Sequence, residues 1–238
     1  PVKTGVFYGV GVGPGDPDLI TLKAVNVLKS SAVIAVPRSS DKGSSRALDI
    51  IRGTVGLEGK EILELPFPMT KDRAALDASR RQAASLVAER LAQGKDVAFI
   101  TLGDPLVFST FSYLMPFVKE LSPRSLIKSV PGVTSFSAAA SRLCAPLAET
   151  DERVIIVPAA YELDKVRQAL LSAETIVLMK VNKAIDAITG LIIEAGLIEN
   201  SIFVSRAGWP EEEVVTDLRT LKGTKPDYFS MIIIRKNG

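Results

Sequence analysis

A chain of 238 residues, with 29 Lys or Arg against 27 Asp or Glu and a net charge of +2, has room for one large or two small α/β domains. Its basic residues are scattered instead of massed, so no nucleic-acid partner is expected, and no apolar run nears the roughly 18 to 20 residues that span a bilayer. Histidine is absent and Cys144 is the only cysteine, which removes Ser-His-Asp and Cys-His catalysis, histidine-ligated zinc and any intramolecular disulfide.

A soluble cytoplasmic protein is expected. The opening Pro-Val-Lys-Thr-Gly lacks the shape of a signal peptide, and the missing initiating methionine is expected to reflect a processed or trimmed start. In chain order, Val6 to Val12 has the length and β-branched content of a buried strand and runs straight into the turn Gly13-Pro14-Gly15-Asp16-Pro17. Leu19, Leu22, Val25 and Leu28 then fall at helical spacing, and Ala32 to Val36 reads as the next buried strand, completing a β-α-β unit. A helix at Ser44 to Arg52, a strand at Glu61 to Leu65 and a long amphipathic helix from Asp72 to Gln93 follow, the last ended by Gly94.

Asp96 to Leu102 is a further buried strand that opens into Gly103-Asp104-Pro105 before a helix at Ser109 to Leu121. Alternation of this kind implies a mainly parallel sheet. Helical periodicity stops at Ser122-Pro123-Arg124-Ser125, which places an expected boundary between an N-terminal domain, 1–122, and a C-terminal domain, 123–238. The second half offers strands at Ile127 to Val130, Arg153 to Val157, Thr175 to Lys180, Ser201 to Ser205 and Tyr228 to Arg235. Its helices are expected at Ser135 to Leu143, Glu162 to Leu171 and Lys183 to Ala195. Short links between its last strands predict a partly antiparallel sheet. Cys144 lies in an apolar helical stretch and is expected in the core.

Gly9-Val10-Gly11-Val12-Gly13-Pro14-Gly15 puts glycine at every second residue, so something passes very close to this backbone: a packed helix, or a ligand. No register gives G-x-G-x-x-G, because Asp16 holds the third glycine's place, and the second strand ends in Pro37-Arg38 with no acidic residue. No G-x-x-x-x-G-K-[ST] occurs either, so conventional dinucleotide and ATP sites are disfavoured. Gly103 to Phe108 stands where a parallel strand meets its loop, the usual ligand edge of such a sheet, and Asp104 either starts a turn there or meets a cation. Pro131-Gly132-Val133-Thr134-Ser135 repeats the pattern, with hydroxyls that can cap a helix or bind an anion.

Taken in order, Val10 to Ala24 (VGVGPGDPDLITLKA), Gly103 to Phe108 (GDPLVF), Pro131 to Ser135 (PGVTS) and Ser205 to Glu212 (SRAGWPEE) resemble the methyltransferases that modify uroporphyrinoid and corrin rings. The stretch from Gly103 to Phe111, the segment Pro66 to Asp72 and Val36-Pro37-Arg38 are most similar to the subgroup that methylates C20 of precorrin-2 or its cobalt-bearing counterpart. The resemblance implies two α/β domains with S-adenosyl-L-methionine and a tetrapyrrole in the cleft between them, and a homodimer. It further implies cofactor contacts from Pro14, Gly103, Asp104, Val107, Thr134, Ser135, Met179 and Ala207, with Asp104 facing the ammonium of the cofactor. Any cobalt would come with the tetrapyrrole, since the chain offers no obvious ligand set.

The many carboxylates of such a substrate need cationic partners, and Arg38, Lys42, Arg46, Lys71 and Arg73 fall on loops or helix starts of the first half. Each alone reads as a solvated surface charge, and only the group points to a substrate. Tyr8 and Tyr161 are candidate hydrogen-bond donors or proton acceptors, and no residue identifies itself as a catalytic base. Relatives acting on another ring position, on RNA or on a protein, and a non-enzymatic nucleotide-binding protein, are the alternatives.

Overall fold

In the first half, apolar runs and amphipathic helices alternate as the sequence pattern requires: β1 (Phe7–Gly11), α1 (Leu22–Ser30), β2 (Val33–Arg38), α2 (Arg46–Arg52), β3 (Glu61–Pro66), α3 (Arg73–Ala92), β4 (Val97–Thr101), α4 (Thr110–Leu121) and β5 (Ile127–Val130). The computed structural model describes residues 4–38, 45–68, 70 and 72–237. The five strands form one sheet in the order β3-β2-β4-β1-β5, every pair parallel. Phe7, Ala35, Leu65 and Phe99 point to one face and are covered by α3 and α4; Val10, Ile34, Val36 and Ile100 point to the other and are covered by α1 and α2. Helix starts are fixed by side chains: Thr21 Oγ1, Asp72 Oδ1 and Ser109 Oγ accept from the backbone N–H of Ala24, Ala74 and Phe111.

The first compact unit runs to Thr134, whereas the sequence suggested a boundary after residue 122. The reason is β5, read as the first strand of the second half. It pairs in parallel with β1, Phe7 opposite Ile127 and Val10 opposite Val130, and so closes the edge of the first sheet.

The second unit, Ser135 to Gly238, contains α5 (Ser135–Arg142), β6 (Val154–Val157), α6 (Leu163–Ser172), β7 (Thr175–Met179), α7 (Ile185–Glu194), β8 (Ser201–Ser205), β9 (Glu213–Val215) and β10 (Ser230–Arg235). Its sheet is mixed, in the order β6-β7-β10-β8-β9: β6 and β7 are parallel and the other pairs antiparallel, as the short final links predict. α6 and α7 cover one face over Ile176, Leu178, Phe203 and Ile232, while Ala139 of α5 packs with Val177, Val204 and Ile233 on the other.

Cys144 departs from expectation, being exposed and not a core residue. Helix α5 stops at Arg142, and Cys144 adopts φ 49 so that its N–H reaches Ser141 O (3.1 Å) while Ala145 N–H reaches Ala140 O (3.1 Å). This is the left-handed helix stop in which glycine is the usual residue.

Candidate functional site

Three loops leave the C-terminal edge of the first sheet from the adjacent strands β4, β1 and β5 and lock together through backbone. Gly103 N–H donates to Gly13 O (2.8 Å), and Val12 N–H to Thr101 O (3.0 Å). A Cβ on Gly11 would stand 2.4 Å from Gly103 O and 2.8 Å from Gly132 Cα; one on Gly132 would stand 2.1 Å from Gly103 O. Neither position admits any side chain. Gly13 (φ 82) and Gly103 (φ 65) lie in the left-handed region besides.

The alternation of glycines in β1 thus has two physical causes. Gly9 makes room for the Phe111 ring, 2.5 Å from where its Cβ would be, and that ring packs with Phe7 and Phe99 at 5.3 and 6.1 Å between centroids. Gly11 and Gly132 instead let three loops approach backbone to backbone. A packed neighbour therefore accounts for both approaches.

Asp104 is held by its own surroundings: Oδ1 accepts from Leu106 N–H (2.8 Å) and Oδ2 from Gly132 N–H (3.1 Å), tying the β4 loop to the β5 loop. The remaining lone pairs of this carboxylate are the acceptors a cation would meet. Beyond it Leu106, Val107 and Phe108 form an exposed apolar lip, with Phe108 at φ 52, a conformation that costs a bulky residue energy and marks backbone held by its context. A Cβ at Gly103 would find only Thr134 Cα at 3.8 Å and Val133 O at 3.9 Å, so space remains open beside this loop. Pro14 is buried in the neighbouring turn and Thr134 ends the unit.

In the second unit, Ser135 is the first residue of α5, Met179 ends β7 and buried Ala207 follows β8. Met179 and Ala207 share the core beneath α5. Each lies beside a non-glycine residue in the left-handed region, Lys180 (φ 57) and Arg206 (φ 51).

The candidate cations split into two groups. Arg38 at the end of β2, Arg46 at the start of α2 and Arg73 at the start of α3 all belong to the C-terminal edge of the first sheet, as its parallel topology dictates. Arg38 is ion-paired with Glu64. Beside it lies an open cavity of about 570 Å³ lined by Phe67, Ser79 and Gln82 among others. Lys42 and Lys71 lie outside the described residues.

Tyr8 does not join this edge. It sits near the N-terminal end of β1 against Lys128, 6.0 Å from the ring, and burial followed by the Asp96 charge raises its pKa, which disfavours a proton-accepting phenolate. Tyr161 is exposed just beyond β6 with Lys183 Nζ 5.3 Å from its ring. Sequence reading named none of Trp209, Tyr228 and Phe229 as site residues, yet they assemble at the same end of the second sheet; only the pairing of β8 with β10 brings residues twenty positions apart together.

The family model of the Tetrapyrrole (Corrin/Porphyrin) Methylases matches residues 6–222. The chain is 35% identical over 233 residues, 98% of its length and 97% of the relative's, to the cobalt-precorrin-2 C(20)-methyltransferase of Salmonella typhimurium. Among solved structures, a cobalt precorrin-4 methyltransferase of cobalamin biosynthesis superposes with a TM-score of 0.74 at 27% identity, covering 96% of this chain and 94% of that one. The uroporphyrin-III C-methyltransferase of Thermus thermophilus complexed with S-adenosyl homocysteine shares the fold at a TM-score of 0.66 and 22% identity, with 98% of both chains covered.

Proposed function

Since this chain belongs to the tetrapyrrole (corrin/porphyrin) methylases, we propose that it transfers a methyl group to C20 of cobalt-precorrin-2, or of its metal-free counterpart, in cobalamin biosynthesis. The observation that carries the reading is the 35% identity running through 97% of a relative named for that reaction. When bound, S-adenosyl-L-methionine supplies a methyl group activated on a sulfonium. The protein's task is then to hold donor and ring carbon in line and keep water out, and neither requires a histidine.

The residues fit that donor. Asp104 holds its carboxylate at a loop fixed by the close approach of Gly11, Gly103 and Gly132, suited to the donor's ammonium group. Pro14, Gly103 and Val107 with Thr134 supply backbone and shape beside it in the first unit, and Ser135, Met179 and Ala207 are assigned the same role in the second. The exposed apolar lip of Leu106 to Phe108 is assigned to covering the bound donor from water. Arg38, Lys42, Arg46, Lys71 and Arg73 are assigned to carboxylates of the substrate, Arg38 by exchanging Glu64 for a substrate acid. Any cobalt travels inside the macrocycle.

The reading also takes the working protein to be a cytoplasmic homodimer, which light scattering would show as twice the monomer mass. No helix among the described residues is long and apolar enough to cross a membrane. The deciding experiment offers labelled S-adenosyl-L-methionine with precorrin-2 and cobalt-precorrin-2 separately and locates the methyl by carbon NMR. Label at C20 supports the reading; label at another ring carbon makes the chain a sibling methylase, and no transfer to either ring refutes it.

A further inference from the structure

Three strands of the second sheet end, and a fourth begins, at one edge that gathers four aromatic residues. Tyr161 follows β6, Lys180 and Lys183 follow β7, Tyr228 and Phe229 lead into β10, and Trp209 follows β8. Ala160 N–H to Met179 O (3.1 Å), Lys180 N–H to Ser230 O (2.9 Å) and Arg206 N–H to Phe229 O (2.8 Å) fasten these loops to one another in strand order. Three intervals of ordinary strand spacing make the row about 14 Å long.

The rings are ordered and open to water. Trp209 stacks on Phe229 with centroids 5.9 Å apart and planes 19° from parallel, and Tyr228 meets Phe229 edge-on at 5.3 Å. Yet Tyr161, Tyr228 and Phe229 remain 47%, 46% and 38% exposed. Both tyrosines carry an ammonium group over the ring: Lys180 Nζ is 5.4 Å from the Tyr228 centroid and Lys183 Nζ 5.3 Å from that of Tyr161. The nearby Arg206 is already neutralised by Asp227 at 2.8 Å. What the row presents is exposed aromatic area with two lysines set between Tyr161 and Tyr228, groups able to meet the conjugated face and the rim carboxylates of a planar acidic ring.

We propose that this edge is a substrate platform, with the aromatic row stacking on the macrocycle and Lys180 and Lys183 pairing with its acid side chains. The inference rests on the methylase reading above and assigns these six residues to that substrate and not to the methyl donor. Stacking orients a planar ligand at little entropic cost because aromatic side chains have few rotamers, while the lysines make binding weaken with salt.

The test uses Trp209, the only tryptophan, as reporter. Quenching of its emission by cobalt-precorrin-2 under anaerobic conditions gives the Kd of the ring, and calorimetry gives that of S-adenosyl homocysteine. Two double variants are compared with wild type: Tyr228→Leu with Phe229→Leu, and Lys180→Gln with Lys183→Gln, the latter leaving the packing of the aromatic row in place. Each is expected to raise the ring Kd at least tenfold, about 1.4 kcal/mol, and to change the S-adenosyl homocysteine Kd less than twofold. Unchanged ring binding in the lysine variant, or an equal loss of S-adenosyl homocysteine binding, overturns the platform while the methylase reading stands. A wild-type protein that binds S-adenosyl homocysteine but no ring overturns both.

Discussion

Gly132→Ala and Gly190→Ala are chemically the same change, and the structure gives them opposite signs. At Gly132 the new methyl would lie 2.1 Å from Gly103 O and 2.9 Å from Gly11 Cα, all of it backbone. The β4 or β5 loop would have to move by more than 1 Å to restore ordinary contact, a shift that also pulls Gly132 N–H from Asp104 Oδ2 at 3.1 Å. Overpacking costs about 1–3 kcal/mol and the lost bond to a carboxylate about 1–2 in a partly exposed loop, against a gain of about 0.5 from a stiffer unfolded chain. The net loss is about 3 kcal/mol, or roughly 6 to 12 °C in Tm. Gly190 lies inside α7 with nothing within 4 Å of its would-be Cβ, so alanine there should add about 0.5–1 kcal/mol, roughly 1 to 4 °C. Differential scanning calorimetry with isothermal titration of S-adenosyl homocysteine measures both. Gly132→Ala melting within 2 °C of wild type with undiminished binding would refute the close-approach argument.

Cys144→Gly should raise stability by about 0.5–1 kcal/mol in urea titrations, because glycine carries no penalty at φ 49. Asp104→Asn turns one acceptor into a donor facing a backbone N–H. Stability should fall by about 1–2 kcal/mol and S-adenosyl homocysteine affinity at least tenfold, and unchanged affinity would remove Asp104 from the donor site. Glu174 is drawn down to about 2, chiefly by the Arg153 guanidinium and next by the Arg153 N–H. A lowered carboxylate pKa stabilises the fold above the unfolded value near 4.5, and that contribution is lost as pH falls toward 2. In acid titrations Glu174→Gln should therefore differ from wild type at neutral pH and converge on it near pH 2, with the gap narrowing in high salt. A gap that persists at pH 2 would show that the glutamate acts through packing.

The alternation of strands and helices was legible because buried parallel strands and amphipathic helices carry different periods, and β5 and β8 match their expected ends residue for residue. Which sheet β5 joins was not, since a four-residue strand says nothing about its partner until β1 is placed beside it. β9 escaped notice for a local reason: Glu213-Val214-Val215 is three residues long and largely exposed, with only a register opposite Phe203 to Ser205 to define it. Cys144 was misread because its stop signal resides in a backbone angle and not in a glycine. Of the site, the glycine-rich loops announced close approach but not what approaches, and the aromatic row exists only through pairing of distant strands.

Interlocking glycine loops also set a timetable for the nascent chain. β1 emerges first, yet its sheet neighbours β4 and β5 lie about 90 and 120 residues later, so Gly11 waits for Gly132 before the loops can close. At the roughly 5–20 residues per second of synthesis, that delay is about 6 to 24 s. Any chain cut short before β5 therefore carries the glycine-rich strand without its lock, and the ligand edge becomes a checkpoint that only a completed first sheet can pass.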